Sequence, residues 1–419
     1  MTVTSGDPSH ATVHLSRFVV LLFAVTAGSS AGCLYYLQPL LHEISVDFSI
    51  STATAGLLVA LTQIGYLLGL AFVVPLGDFV NRRRLVTGLL VVSCVALLAA
   101  GLLPSFGGLL TMVFAVGVSA SAAQVVVPWA AAIAGPHERG AVVGHVMSGL
   151  LIGILFSRVL SGLVAEIGGW RAILFVAAAV QLTMALAVWF RAPGARPAGA
   201  GTRQSYPQVL ASILTLVWQQ PVLRHRMILG GLNMAAFSGL WTAITFLLAG
   251  AGDSPYDYPE AAIGLFGLAG VAGALGAPIV GKLADRGYLR HTQYLAWAVQ
   301  VVGWALLWAG AHDVMILIVA LLVFDFGVQG VQLANQTGVY SLDDRARSRL
   351  TTAYMVAYFA GGVIGSSMGA WAYQAGGWSL VCGLGIGSAA TGFAAWALFA
   401  RTERAHPLQG VAAHARLRT

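Results

Sequence analysis

Twelve long apolar runs, joined by short polar links, leave this chain almost nothing from which to build a water-facing exterior. They fall at 18–41, 53–75, 85–103, 107–131, 141–165 and 171–190, then at 226–250, 261–281, 292–311, 314–337, 350–373 and 379–400. Each is close to the ~20 residues a helix needs to cross the hydrocarbon core of a bilayer. Hydrophobic residues make up 58% of the 419 and charged residues only 9%, whereas soluble domains carry roughly a quarter charged. Lipid is therefore the expected solvent, and an all-α membrane protein of twelve transmembrane helices the expected fold. The run from Phe18 is read as the first of these rather than as a signal peptide, because it continues unbroken through Leu34–Leu41 and eleven more follow.

A net charge of +7 would suit a nucleic-acid binder, but the placement of the charges argues against one. With the N-terminus inside, every lysine and arginine except Arg158 and Arg171 falls in the polar segments of one face. The opposite loops carry Glu43, Asp47, Glu166, Asp253, Asp257, Glu260 and Asp313. By the positive-inside rule both termini are cytoplasmic. Cys33, Cys94 and Cys382 all lie within spans, which suggests neither a disulfide framework nor a metal site. No nucleophile–base pair or nucleotide motif is present, so neither an enzyme nor a cofactor is expected.

The chain repeats itself. Pro75-Leu76-Gly77-Asp78 with Arg82, Arg83 and Arg84 follows span two, and Gly281-Lys282-Leu283-Ala284-Asp285-Arg286 follows span eight, the two aspartates 207 positions apart. Gly168-Gly169-Trp170 recurs as Gly376-Gly377-Trp378 after 208. Two landmarks with nearly one offset indicate duplicated six-helix halves. The expected organisation is a bundle at 1–190, a cytoplasmic linker at 191–225, a second bundle at 226–400 and a basic tail at 401–419. Within the linker, Leu210, Ile213, Leu214, Val217 and Trp218 give an amphipathic helix suited to the membrane interface.

Charge inside hydrocarbon costs ~3 kcal/mol or more per group, so Arg158 in span five and Asp325 in span ten stand out. Their depths differ by one or two helical turns, and they meet if their spans face one cavity. Asp325, Gln329, Gln332 and Gln336 share one helical stripe, which lines either a wet cavity or a neighbouring helix. Asp325 has three readings: a proton-coupling site that alternately meets and loses Arg158, a fixed ion pair with it, or a direct substrate contact. Tyr35, Tyr36 and Gln38 in span one, Gln63 and Tyr66 in span two, and Gln124 in span four are further cavity candidates. Asn233 and Trp241 in span seven, with Tyr354 and Tyr358 in span eleven, complete the set. An aromatic, amide-rich lining with little charge favours small neutral or weakly charged amphipathic solutes.

These features resemble the major facilitator superfamily (MFS) over nearly the whole chain. Its loop motif, Gly-x-x-x-Asp-(Arg/Lys)-x-Gly-(Arg/Lys)-(Arg/Lys), is matched by Asp78 and Arg82–Arg84, and again by Gly281, Asp285 and Arg286. Tyr35-Tyr36-Leu37-Gln38-Pro39-Leu40-Leu41, Gln63-Ile64-Gly65-Tyr66, Gly169-Trp170-Arg171 and Asn335-Gln336-Thr337 are similar to a bacterial drug or metabolite efflux subgroup. The resemblance implies two pseudo-symmetric bundles in a bacterial inner membrane, acting as a monomeric secondary transporter. The expected coupling ion is the proton and the expected direction efflux, with uptake of a small metabolite as the alternative and a membrane-embedded sensor as a remote one. Span four departs from the antiporter pattern, carrying Gln124 and Pro128 where that subgroup has an arginine. The resemblance also makes the two loop motifs a conformational gate. Asp78 is then expected against the start of span eleven, Ser348–Thr352, and Asp285 against Gly140–Gly144.

Overall fold

The computed structural model describes residues 16–135, 138–194, 205–271, 283, 286, 288–343 and 346–405. Among them there are helices and turns but no strand. In lipid, backbone N–H and C=O groups must be satisfied within each segment, which helices do and open sheets do not. The elements are α1 (Arg17–Gly32), α2 (Leu41–Asp47), α3 (Thr52–Leu68), α4 (Arg82–Leu102), α5 (Phe106–Ala120), α6 (Ala122–Ile133), α7 (Arg139–Gly168) and α8 (Trp170–Arg191). After them come α9 (Tyr206–Gln219), α10 (Pro221–Leu248), α11 (Glu260–Phe266), α12 (Leu289–Ala309), α13 (Val314–Tyr340) and α14 (Arg347–Ala405).

Nine segments among the described residues are long and apolar enough to cross a membrane, with shorter apolar helices at Arg17–Gly32 and Glu260–Ala269. The last of the nine, α14, is two spans broken at Gly376 and Gly377, so with the two shorter helices each of the twelve expected spans has a helical segment among the described residues. Helix starts carry side-chain caps: Ser51 accepts from the N–H of Thr54, Asn81 from Arg83 and Arg84, and Asp313 from Met315 and Ile316. Each satisfies N–H groups that the first turn leaves without a partner.

The duplication inferred from Gly-Gly-Trp is visible in the backbone. Gly169 has φ +73° and Gly377 φ +62°, so each repeat turns through the left-handed region that glycine enters without penalty. Within each half, a stripe of small residues brings two helix backbones together. In the first half Gly149 and Gly153 of α7 pack on Ala24 and Gly28 of α1; in the second, Gly361, Gly365 and Gly369 of α14 pack on Gly231, Ala235 and Gly239 of α10. Small residues at such faces let membrane helices approach closely. Between the halves, α3 packs on α14 and α7 on α11.

The first span departs from the continuous helix expected over 18–41. It stops at Gly32, passes through turns at 33–37 and resumes as a 3-10 turn at Gln38–Leu40. Pro39 keeps the helix from resuming through this stretch: it has no N–H to donate, and its ring excludes a helical carbonyl four residues back, at Tyr35. The break frees main-chain oxygens, and the hydroxyls of Ser161 and Thr245 donate to those of Tyr36 and Gln38. The outward face of the bundle carries Leu102, Ile152, Phe156, Phe190 and Met315, all exposed, as a lipid-facing surface requires. In the text below, the acidic end is the one bearing Glu43, Asp47, Asp313 and Glu260, and the basic end the one bearing Arg82–Arg84.

Candidate functional site

A cavity of about 260 Å³ lies between the halves, lined from α1, α3, α6, α7, α10, α13 and α14. It runs from Arg158 and Asp325 to Met147, Gln336 and Met355, which lie about one to two turns from the basic ends of their helices. The whole stripe of Asp325, Gln329, Gln332 and Gln336 faces it, together with Tyr35, Tyr66, Gln124 and Tyr358. Gln124 donates to the Tyr66 hydroxyl at 3.2 Å. Gln124 lies on α6, whose interior holds a proline, Pro128.

A polar layer forms the inner end of the cavity. Arg158 is 3% exposed and Asp325 2%, yet they do not pair. The Nε and Nη2 of Arg158 both donate to Gln38 Oε1, at 3.1 and 2.9 Å. Its guanidinium lies 4.3 Å from the Trp241 ring centre, 4.9 Å from Tyr35 and 5.6 Å from Phe237, within range of cation–π attraction. Trp241 Nε1 donates to Asp325 Oδ1 at 3.4 Å, and Asp325 Oδ2 has no hydrogen-bond partner. One indole thus stands between the two charges. Gly267 leaves room for the Arg158 side chain, where a Cβ would meet it at 2.9 Å.

The other candidates lie behind the cavity wall. Tyr36 packs in the first half beside Cys33 and Leu34. Gln63 donates to the Ser238 hydroxyl at 2.7 Å, joining α3 to α10. Asn233 donates to the Val328 carbonyl at 3.1 Å and accepts from Gln300 at 2.7 Å. Tyr354 donates to Gln332 Oε1 at 2.6 Å and so positions one member of the stripe. A search for polar side chains missed the apolar wall: Met147, Leu150, Leu151, Ile154 and Leu155 line the cavity on α7. Their i, i+3, i+4, i+7, i+8 spacing places them on one face with Arg158, and that is the signal that would have found them.

Hydrogen bonds between the halves run from the midplane to the acidic end. Ala53 N donates to Gln374 Oε1 at 3.1 Å, and Thr245 Oγ1 to the Gln38 carbonyl at 2.9 Å. On the same side a Cβ at Gly162 would drive into the Glu260 carbonyl, and one at Gly56 into Ala370. Beyond this seal lies a cleft of about 540 Å³ lined by His42, Glu43, Asp47, Trp170, Arg171 and Glu260. Glu43 accepts from the Trp170 N–H at 3.1 Å, and Asp47 from the Trp170 indole at 3.1 Å and Arg171 at 2.7 Å. Burial pushes the Glu43 carboxyl above its ordinary value, with Glu260 and Asp47 adding to the rise against the Trp170 bond.

At the basic end Asp78 is exposed, and its bond is to Arg82 of its own half at 3.0 Å. The contact with Ser348–Thr352 expected of it is not made in this structure, where the cavity separates the halves on that side. Arg82 is buried and also donates to the Gly77 carbonyl at 3.0 Å. Arg83 lies 5.3 Å from the Trp189 ring centre, and Arg84 is exposed. Arg286 is exposed, while Gly281 and Asp285 lie outside the described residues.

A family match and relatives named as transporters mark the chain as a membrane transporter, not an enzyme. Residues 20–342 match the Major Facilitator Superfamily, and the chain belongs to it. It is 41% identical over 389 residues to the uncharacterized transporter YgaY of Escherichia coli O157:H7, covering 93% of this chain and 96% of that one. It is 33% identical to the transporter SCO4007 of Streptomyces coelicolor, over 88% and 84%. Among solved structures, a bacterial homologue of the human lysosomal transporter Spinster, inward-facing and occupied, superposes with a TM-score of 0.75 at 13% identity, over 92% and 97%. The nucleoside transporter NupG gives 0.74 at 13%, over 91% and 98%. At such identities the likeness is one of fold.

Proposed function

We propose that the chain is a proton-coupled exporter of small, neutral or weakly charged amphipathic solutes in the bacterial inner membrane. It works as a monomer by rocking its two halves about the central cavity. The reading rests on Asp325, a carboxylate buried at the inner end of the cavity with one oxygen unpartnered, while its nearest cation is held off by Trp241. Moving that oxygen between this site and contact with Arg158 would bind and release one proton per cycle; the other titratable groups facing it are Tyr35 and Tyr358. The basic end is assigned to the cytoplasm by the placement of its arginines, so the cavity opens where an exported solute is loaded. The outward direction rests on the likeness of the 35–41 and 63–66 segments to exporters. Asp78 and its arginines act as the gate that engages when the basic end closes, and α9 lies along the cytoplasmic interface.

The test is flux into proteoliposomes under an imposed pH gradient. Solute should move against the proton flow, and Asp325→Asn should abolish gradient-driven accumulation. Unchanged gradient-driven accumulation in that variant removes Asp325 from coupling, and flux parallel to the protons reverses the direction.

A further inference from the structure

We infer that the inner end of the cavity is a two-pole site for a zwitterion, a solute carrying an amine and a carboxylate on an apolar body. The inference rests on the transport reading above and narrows its substrate class. Two opposite charges buried at one depth would ordinarily close on each other, because an unpaired buried ion costs several kcal/mol. Here they are held apart by specific parts. Gln38 takes two guanidinium nitrogens of Arg158, Trp241 engages both charges with its ring face and its indole N–H, and Asp325 Oδ2 is left without a partner. Both residues line the cavity. The Arg158 nitrogen that Gln38 does not engage, Nη1, is a donor for a carboxylate; Asp325 Oδ2 is an acceptor for an ammonium group. A ligand bearing both poles neutralises both charges.

The rest of the cavity fits the rest of such a molecule. The α7 wall of Met147, Leu151 and Ile154 is apolar, and the opposite wall offers the amides of Gln329, Gln332 and Gln336. At about 260 Å³, the space falls just below the ~300–1,000 Å³ of pockets for drug-sized ligands, which suits a solute near the size of an amino acid. Net neutrality agrees with the sparse charge of the lining. The ammonium group and a proton cannot occupy Asp325 Oδ2 together, so the same atom would exchange solute for proton.

The test is binding to the full-length protein in lipid nanodiscs at one pH with no gradient, by calorimetry and by the ligand-induced rise in Tm. The probes are leucine, methionine and phenylalanine, their methyl esters (amine pole only), their N-acetyl derivatives (carboxylate pole only) and their N-acetyl amides (neither). At least one parent amino acid should bind tenfold or more tighter than each of its singly capped forms. Arg158→Gln should erase the preference over the ester, and Asp325→Asn the preference over the N-acetyl form. Parents that bind no better than their capped forms, or no binding by any parent, overturn the inference. The ligand series on the unmodified protein decides the matter even where a variant fails to fold. Because no gradient is applied, lost proton coupling with the binding preference intact strikes only the transport reading. An uncharged solute carried against the proton flow strikes only this one.

Discussion

The two ends of α7 face opposite fates. Near the acidic end Gly162 touches the Glu260 backbone so closely that no side chain fits, whereas at the basic end Gly140 and Gly144 have nothing within 4 Å of a would-be Cβ among the described residues. One helix is therefore locked to the other half at Gly162, while at Gly140 and Gly144 no described residue approaches it. The lesson is that the seal is made by removing side chains, not by adding attractive ones: backbone meets backbone, reinforced by bonds such as Thr245 to Gln38.

Gly162→Leu should break this contrast most severely. Overpacking of this kind costs ~1–3 kcal/mol or more, so spin-label distances across the acidic end should lengthen and solute flux should fall at least tenfold. Gly144→Leu, where no described residue lies within 4 Å of a would-be Cβ, should shift those distances far less. Thr245→Val removes a bond between the halves and leaves the Gln38 carbonyl unsatisfied, at a cost of ~1–3 kcal/mol; the same distances should show a larger open fraction with the fold intact.

Glu43 sharpens the contrast through pH. Its raised pKa means that the sealed state holds the proton more tightly than a solvated carboxyl does. Glu43 thus favours the seal fully below the ordinary carboxyl value of 4.5 and progressively less as pH rises through its raised value. The open fraction at the acidic end should grow across that window, and Glu43→Gln should flatten the rise. The smallest effect is expected from Asp78→Ala, because Asp78 is exposed and the buried Arg82 keeps its bond to the Gly77 carbonyl, so the pair is worth ~0.2–1 kcal/mol; Tm should shift by about a degree or two.

Much of this was legible in the sequence for physical reasons. Hydropathy counts spans because lipid tolerates little else, and Gly-Gly-Trp marked the repeat because both copies need a positive φ. The stripe from Asp325 to Gln336 was legible because 3.6-residue periodicity places those four side chains on one face. Three features were hidden by their dependence on tertiary contact. Pro39 gave a local cue to the break in span one, but the hydroxyls that donate to the freed oxygens, Ser161 and Thr245, belong to distant helices. The depths of Arg158 and Asp325 suggested a direct pair, yet Trp241 in span seven engages both and they stay apart. The apolar α7 wall went unread because leucine and methionine look the same whether they face lipid or solute.

The glycine faces within each half carry one further consequence. Where Gly153 rests on Gly28, and Gly365 on Ala235, the surfaces in contact are main chain, with no rotamer to turn and no flexible tip to yield. Such helix pairs cannot creep past one another by fractions of an ångström; the next meshed register is a full turn, ~5.4 Å, away. Each six-helix half should therefore move as a stiff lever, delivering a small tilt at one end of the molecule undiminished to the other.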